Sequence, residues 1–269
     1  QFERFVRTYS GEDMALDARM EAARLYDKGG EVKAAIGAYR DFAKVVGDKR
    51  VDQAMFARAR AAELLVQLGD AEGRKELYAI RKQLASTKEI RAYEARRTVA
   101  TSIFNNLNLG YVEFKNLAVT DGGKIEEEVR AKQKKLEDLA NGYESIIEVG
   151  NPEYVVASLY RVAELHENMA QTLFNAPGPK GATQVELDAF RTSIEKVAFP
   201  LRDEANKLFE EAYRHSKDVD TFSAWTQRTY MKMVELSPDK FPEVREQSLD
   251  AQNMTHKLNL STSVSDLAR

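Results

Sequence analysis

Histidine is the residue type whose spacing in this chain comes closest to a catalytic pattern, and His166, His215 and His256 are present. His166 and Glu167 begin the helical zinc-protease motif, in which a second histidine one helical turn later directs two imidazoles at one metal ion. Ala170 occupies that second position. The incomplete motif favours a histidine at the boundary of the protein core over a zinc ligand.

The other patterns that mark catalytic or cofactor sites are incomplete or absent. Residues 178–181 read Gly-Pro-Lys-Gly, but the phosphate-binding pattern GxxxxGK followed by Ser or Thr is missing. Neither a GxSxG nucleophile elbow nor a GxGxxG dinucleotide fingerprint occurs. The chain has no cysteine, which excludes disulfides, thiolate metal sites and cysteine nucleophiles. We therefore predict no catalytic residue, no metal and no cofactor. An all-helical enzyme that brings carboxylates together from distant positions is the weakest alternative.

Composition is typical of a helix-rich protein with a sizeable core. Of the 269 residues, 43% are hydrophobic and 31% are charged, while only six are proline. No apolar run approaches the roughly 20 residues needed to cross a bilayer, so we predict no direct membrane span. The chain begins at Gln1 with no signal-like segment after it, which is typical of a processed or truncated product.

Charge gives no support to nucleic-acid binding, because the net charge is −3. Acidic residues interrupt or follow the two local basic groups, which we predict to be solvated helix faces. These groups are Arg91, Arg96 and Arg97, and Lys132, Lys134 and Lys135.

Two stretches in the N-terminal third carry matching sets of small, large and glycine residues. The first set is Ala23, Tyr26, Gly30, Ala35 and Tyr39, and the second is Ala62, Leu65, Gly69 and Tyr78, with Arg74 at the position of the second small residue. The two glycines lie 39 residues apart, as do the two tyrosines. Glycine closes a helix by adopting the left-handed conformation. Helical spacing of apolar residues predicts helices over 14–29, 32–46, 51–68 and 71–84, with Leu25, Leu68 and Tyr78 on their apolar faces.

These two units resemble tetratricopeptide repeats (TPR), which have a small residue, a large residue, a turn glycine, a second small residue and an aromatic at these offsets. The offset of 39 exceeds that family's usual 34. Neither unit has the family's early tryptophan, and Gly47 lies near the position of its closing proline. The resemblance implies that the first helix of each unit lines a concave groove that binds peptide segments. Carried over by position, the groove residues are Asp17, Met20, Arg24 and Lys28, then Phe56, Glu63 and Gln67. The alternative is that these side chains pack on neighbouring helices or face water.

Longer and less regular helices are predicted after residue 85. Ser86 with Glu89 predicts a capping box at the start of a helix that ends near residue 118. Asparagine competes with the helical backbone, so the asparagines within 105–108 predict a kink or break. A turn is predicted at 120–123.

Helical periodicity returns over 124–148, and Asn151 with Pro152 has the composition of a helix start. That helix extends to about residue 174, and the glycine- and proline-rich loop 175–181 is the strongest break in the chain.

A second capping box is predicted at Thr183 and Glu186, and Pro200 predicts an end or kink in the helix that follows. Further helices are predicted over 201–217 and 220–236, then a short one from 241 to about 250. Phe222, Trp225 and Tyr230 are predicted to share one helix face, which we interpret as core in preference to a binding platform.

The predicted fold is all-α, an α-solenoid of antiparallel helix pairs that becomes irregular toward the C-terminus. The expected segments are 1–85, 86–175 and 183–252, followed by a flexible tail over 253–269. The C-terminal helices from Ala205 through Phe241-Pro242 resemble helical extensions that accompany such repeats in Gram-negative cell-envelope proteins. This resemblance implies a periplasmic or envelope location, with the cytoplasm as the alternative.

We expect a non-enzymatic adaptor or scaffold whose partner is a protein or peptide, because stacked helix pairs create extended surfaces without a catalytic pocket. The alternative is a superhelical accessory domain of a larger enzyme, for example one that acts on the cell wall.

Overall fold

The computed structural model describes residues 13–87, 91–120, 124–218 and 222–242, and these ranges contain helices and connecting loops but no strand. In chain order the α-helices are α1 (Asp13–Lys28), α2 (Val32–Val46), α3 (Val51–Gln67), α4 (Ala71–Ser86), α5 (Tyr93–Asn116), α6 (Ile125–Val149), α7 (Pro152–Phe174), α8 (Gln184–Asp218) and α9 (Ala224–Leu236). A 3₁₀ turn at Gly47–Arg50 joins α2 to α3. The all-α prediction is confirmed. Glu89, the turn at 121–123, most of the last short helix and the tail 253–269 lie outside the described ranges.

Packing between helices follows chain order. Each helix contacts the next one, and α3 with α5, α4 with α6, α5 with α7 and α7 with α9 also pack together. The most extensive contact joins α7 to α8 across the predicted break at 175–181. One core cluster continues through this contact, from Met55 in α3 to Ala198 in α8, and a second occupies the space between α1, α2 and α3.

The first two helix pairs are closed by equivalent glycine turns. Gly30 and Gly69 have φ values of +77° and +78°. After each glycine, a backbone N–H reaches back five residues, from Glu31 to the Tyr26 carbonyl and from Asp70 to the Leu65 carbonyl, each at 2.9 Å. This is the hydrogen-bond pattern with which glycine ends a helix. The backbone geometry of the two turns is therefore the same.

The first helices of the two pairs are buried in the same register. The residues 39 positions after the buried members of α1 are all buried in α3. The α1 members are Ala15, Leu16, Ala18, Met20 and Ala23, and their α3 counterparts are Ala54, Met55, Ala57, Ala59 and Ala62.

The second helices differ in register by one residue. The buried residues of α4 are Gly73, Leu77, Ile80 and Leu84, which lie 38 positions after Ala35, Tyr39, Phe42 and Val46 of α2. One residue corresponds to a rotation of about 100° around the helix axis. As a result Tyr39 is 2% exposed whereas Tyr78 is 60% exposed, and the prediction that Tyr78 lies on the apolar face is wrong.

Close contact between backbones explains this rotation of α4. A Cβ on Gly73 would lie 2.6 Å from the Ala62 carbonyl oxygen, so only glycine lets α4 approach α3 at this point. The Tyr78 ring instead lies under the Arg81 guanidinium, 4.9 Å from its carbon. Leu25 and Leu68 are also exposed, contrary to prediction.

Neither of two sites predicted to break or kink a helix ends one. Helix α5 passes through residues 105–108 unbroken, since their asparagines are exposed to water and need not bond the backbone. Pro200 lies inside α8, where packing on α7 offsets the loss of one backbone hydrogen bond. Ser86 is the last residue of α4 and donates to the Gln83 carbonyl, so the capping box predicted there is wrong.

The helix starts predicted at Asn151 and at Thr183 are confirmed, whereas the separate helix predicted over 201–217 is the continuation of α8. The Asn151 side chain accepts from the Tyr154 N–H at 3.3 Å. At the start of α8, the Thr183 N–H donates to the Glu186 carboxylate at 2.7 Å, and the Glu186 N–H donates to the Thr183 hydroxyl at 3.4 Å. These reciprocal bonds satisfy N–H groups that have no partner within the helix.

Candidate interaction cleft between α1, α3 and α5

An open cleft of about 500 Å³ lies between the middle of α1, the N-terminal half of α3 and the first residues of α5. The cleft is lined by Asp17, Met20, Glu21 and Arg24 from α1, by Asp52, Gln53 and Phe56 from α3, and by Ala92, Tyr93 and Glu94 at the start of α5. Residues three or four apart share a face of a helix, so α1 and α3 each present one continuous stripe to the cleft, whereas α5 contributes consecutive residues at its start.

Apolar side chains form part of the lining. Met20 is buried, and the half-buried Phe56 ring packs edge-on against Tyr39 with 6.1 Å between the centroids. The Arg24 guanidinium carbon lies 5.7 Å from the Phe56 centroid, within the range of a cation–π contact. Tyr93 is 55% exposed, so much of its surface faces solvent at this cleft.

Among the described residues that line the cleft, carboxylates outnumber cations by four to one. Asp17, Glu21, Asp52 and Glu94 are acidic, and Arg24 is the basic member of this set. Asp17 binds Arg50. Among the described residues, Glu21 and Glu94 make no ion pair. The cleft therefore has a negative local charge.

A network of ionic hydrogen bonds bridges α1 and α3 one turn beyond the cleft. Arg60 donates to both oxygens of Asp27, at 2.6 and 2.8 Å, and also to Glu63. The Tyr39 hydroxyl donates to Asp27 at 3.1 Å. The hydrogen bond from Arg60 lowers the pKa of Asp27, whereas burial and then the Asp27 charge raise the pKa of Tyr39. At neutral pH the carboxylate is charged and the phenol is protonated, which holds the two helices at a defined separation.

The backbone at Ala92 is unusual for a residue other than glycine. Its φ is +28°, and its side chain is buried where α5 begins. Such a conformation is disfavoured for an L-residue by on the order of 1–3 kcal/mol. The bend directs the chain into α5 and places Tyr93 and Glu94 at the cleft.

Four of the seven predicted groove residues lie together. Asp17, Met20, Arg24 and Phe56 all line the cleft. The other three do not line it. Lys28 and Gln67 are exposed on the far side of the Arg60–Asp27 ion pair. The Glu63 side chain is 13% exposed and is bound to Arg60.

Six lining residues were missed by the sequence prediction, and they fall into two groups. Asp52, Gln53 and Glu21 are separated by three or four residues from predicted members, so helical periodicity alone could have identified them. Ala92, Tyr93 and Glu94 come from a different helix pair, and no local pattern places α5 against α1 and α3.

The two sequence features that partly matched a metal-binding or a phosphate-binding motif, at His166 and at residues 178–181, lie outside the cleft. His166 is half-buried in α7, and burial lowers its pKa. Within the described ranges, no group of three or more His, Asp or Glu side chains could hold a metal ion. At the loop before α8, a Cβ on Gly178 would lie 2.6 Å from Leu187, so this glycine serves close packing.

Trp225 packs at the edge of the main core. Its ring lies 5.3 Å from Phe104 and 5.9 Å from Tyr160. Phe222 is 91% exposed and precedes α9, so the predicted face shared by Phe222, Trp225 and Tyr230 does not form.

A buried polar cluster accompanies Trp225. The Arg161 guanidinium lies 3.9 Å from the Tyr111 centroid and binds Glu164 at 2.8 Å, and the Tyr111 hydroxyl donates to the same carboxylate at 2.8 Å. Burial raises the pKa of Tyr143 in this region to about 12. The charged groups of this cluster bind one another, which leaves the cleft as the candidate site.

These features define an all-helical protein with an open, acidic cleft near one end of its helix series. Comparisons with protein-family models, with curated proteins and with solved structures gave no match. Within the described ranges, no helix combines the length and apolar character needed to cross a membrane.

Proposed function

We propose that this protein is a non-enzymatic adaptor or scaffold that binds a segment of another protein in the cleft between α1, α3 and α5. The observation that carries the proposal is the exposure of Tyr93 and part of Phe56 in a cleft of about 500 Å³ that three helices form together. Aromatic side chains in such positions are the common anchors of protein interfaces.

The fold proposed for this function is an α-solenoid of antiparallel, TPR-like helix pairs. Packing between helices at most two places apart supports it, as do the equivalent turns at Gly30 and Gly69 and the 39-residue register shared by α1 and α3. Stacked helix pairs produce extended binding surfaces by this kind of nearest-neighbour packing. An envelope location is part of the proposal and rests on the resemblance of the C-terminal helices.

Helix geometry also supports binding of an extended or helical segment over binding of a small molecule. The cleft is open, and α1 and α3 each line it with several polar side chains and one apolar side chain, Met20 or Phe56. A peptide offers both a backbone and side chains to such a surface, whereas small-molecule sites enclose most of their ligand.

Selection from a random-peptide display library tests the proposal. Selected peptides should lose about tenfold in affinity for Tyr93→Ala, as expected when an interface aromatic is removed. Phe56→Leu is a second cleft variant that keeps an apolar group against Tyr39. Tyr78→Ala is the matched control, because that tyrosine is equally exposed but lies on α4 away from the cleft. Peptides that bind all variants equally, or a failure to select any, would overturn the proposal.

A further inference from the structure

We infer that the segment bound in the cleft is cationic, with a lysine or arginine next to an apolar side chain. This inference rests on the proposed function and adds the chemistry of the partner. It starts from the origin of the cleft's charge: the carboxylates of Glu21, Asp52 and Glu94 come from three different helices, α1, α3 and α5, and meet at one cleft. A solvated face of a single helix cannot produce this convergence.

Within the described ranges, the protein's own cations leave part of this charge uncompensated. Arg50 binds Asp17 and Asp13. Arg96 interacts electrostatically with Asp52, so these two cations offset two of the lining carboxylates. Arg24 lies over the Phe56 ring. Glu21 and Glu94 are exposed and form no ion pair within the described part of the chain. A ligand cation can therefore bind them without displacing a cation of the protein.

The apolar lining gives a cationic side chain a second reason to bind. Lysine and arginine have long aliphatic stems that pack on apolar surface while the charge stays at the edge. The exposed ring of Tyr93 offers a cation–π contact, while Arg24 lies against Phe56. An apolar neighbour in the peptide would contact Met20 and Phe56.

A metal ion is a poorer match to the same carboxylates. The acidic residues of the cleft do not converge closely enough for three of them to ligate one ion. Divalent cations such as Ca²⁺ take six to eight oxygen ligands at about 2.3–2.6 Å. Charges spread around an open cleft suit a ligand whose own charges are spread along a chain.

The test uses peptides selected on the full chain and the double variant Glu21→Gln/Glu94→Gln. Both glutamates are exposed, so the substitutions remove charge while leaving packing unchanged, which circular dichroism checks. Selected peptides should be enriched in lysine and arginine, and their affinity for the double variant should fall about five- to tenfold by fluorescence anisotropy, since each exposed pair contributes modestly. Their binding should also weaken between 50 and 300 mM salt.

Glu126→Gln/Glu127→Gln is the matched control, since both residues are exposed on α6 outside the cleft, and it should bind within twofold of the parent protein. Neutral or acidic peptides that bind in a Tyr93-dependent way, with no effect of the glutamine substitutions, would overturn the cationic assignment and leave the proposed function standing. Absence of any Tyr93-dependent peptide would overturn both.

Discussion

Buried cations hold the C-terminal ends of three helices. Arg96 donates to the carbonyl of Val149, the last residue of α6, and at 3.1 Å to that of Thr87, which follows α4. Lys132 donates at 2.5 Å to the carbonyl of Leu117, which follows α5. Helix C-termini present unpaired carbonyls and a partial negative charge, so a cation is favourable there. The prediction that Arg96 and Lys132 belong to solvated faces is therefore wrong.

The burial of Lys132 predicts a pH dependence of stability. Burial lowers the pKa of Lys132 to about 8 in the folded protein, whereas the unfolded chain keeps the ordinary value of about 10.4. Between these values the unfolded state binds more protons, so the free energy of unfolding should rise with pH across this window, and this gain should be lost as pH falls through 8.

Urea denaturation at several pH values from 7 to 10.5 measures this effect. Lys132→Met keeps an apolar stem beneath Phe114 but removes the titrating group, so its free energy of unfolding should rise less than that of the parent protein. Lys134→Met, at an exposed position of the same helix, is the control and should retain the parent slope. Equal slopes for all three proteins would contradict the prediction.

At the scale of helices, glycine decides how closely α4 approaches α3. Gly73 lies against the Ala62 carbonyl and the Val66 amide nitrogen, and a Cβ would lie 2.6 and 2.7 Å from these atoms. Backbone atoms cannot move aside as a flexible side chain can. Gly37, in the equivalent helix α2, has no atom within 4 Å of its Cβ position. The two helical glycines therefore have different roles.

Alanine substitutions distinguish these roles. Gly73→Ala should destabilise the protein by about 1–3 kcal/mol, because an added methyl overpacks the helix contact. Gly37→Ala should stabilise it by up to about 1 kcal/mol, since alanine is the better helix former and the site has space. Chemical denaturation monitored by circular dichroism gives both values. A stabilising Gly73→Ala would show that α4 does not pack through this residue.

At the scale of the whole molecule, one core cluster takes residues from all three segments that the sequence suggested, 1–85, 86–175 and 183–252. The cluster contains Leu84 from α4, Phe104 from α5 and Ala198 from α8, and Trp225 packs against it from α9. Although stacked helix pairs can unfold in parts, a shared core couples its members. The helices that contribute to this cluster, α3 to α8, and α9, whose Trp225 packs against it, should therefore unfold together.

The single tryptophan makes this cooperativity measurable. Trp225 fluorescence reports on α9 and its contacts, whereas far-ultraviolet circular dichroism reports on all helices. The two signals should give the same urea midpoint. Leu84→Ala, which removes a fully buried side chain at a cost of about 2–5 kcal/mol, should move both midpoints equally although Leu84 lies in α4. A fluorescence midpoint that stays in place while the dichroism midpoint moves would show separate units.

The sequence by itself determines the existence of the helices and the position of most of their ends. Turn glycines such as Gly30 and Gly69 and the cap at Asn151 act through bonds to residues at most five positions away, so local patterns suffice to locate them. The same local periodicity places Met20, Arg24 and Phe56 on the helix faces that line the cleft.

Only the tertiary structure decides which faces are covered and which residues from distant helices meet. Tyr39 and Tyr78 lie at the same offset from their turn glycines, yet the contact at Gly73 rotates α4 and leaves Tyr78 in water. The acidic contribution of Glu94 to the cleft depends on where α5 packs. Burial and local charge are properties of the neighbours around a side chain, and these neighbours come from helices that no short-range pattern connects.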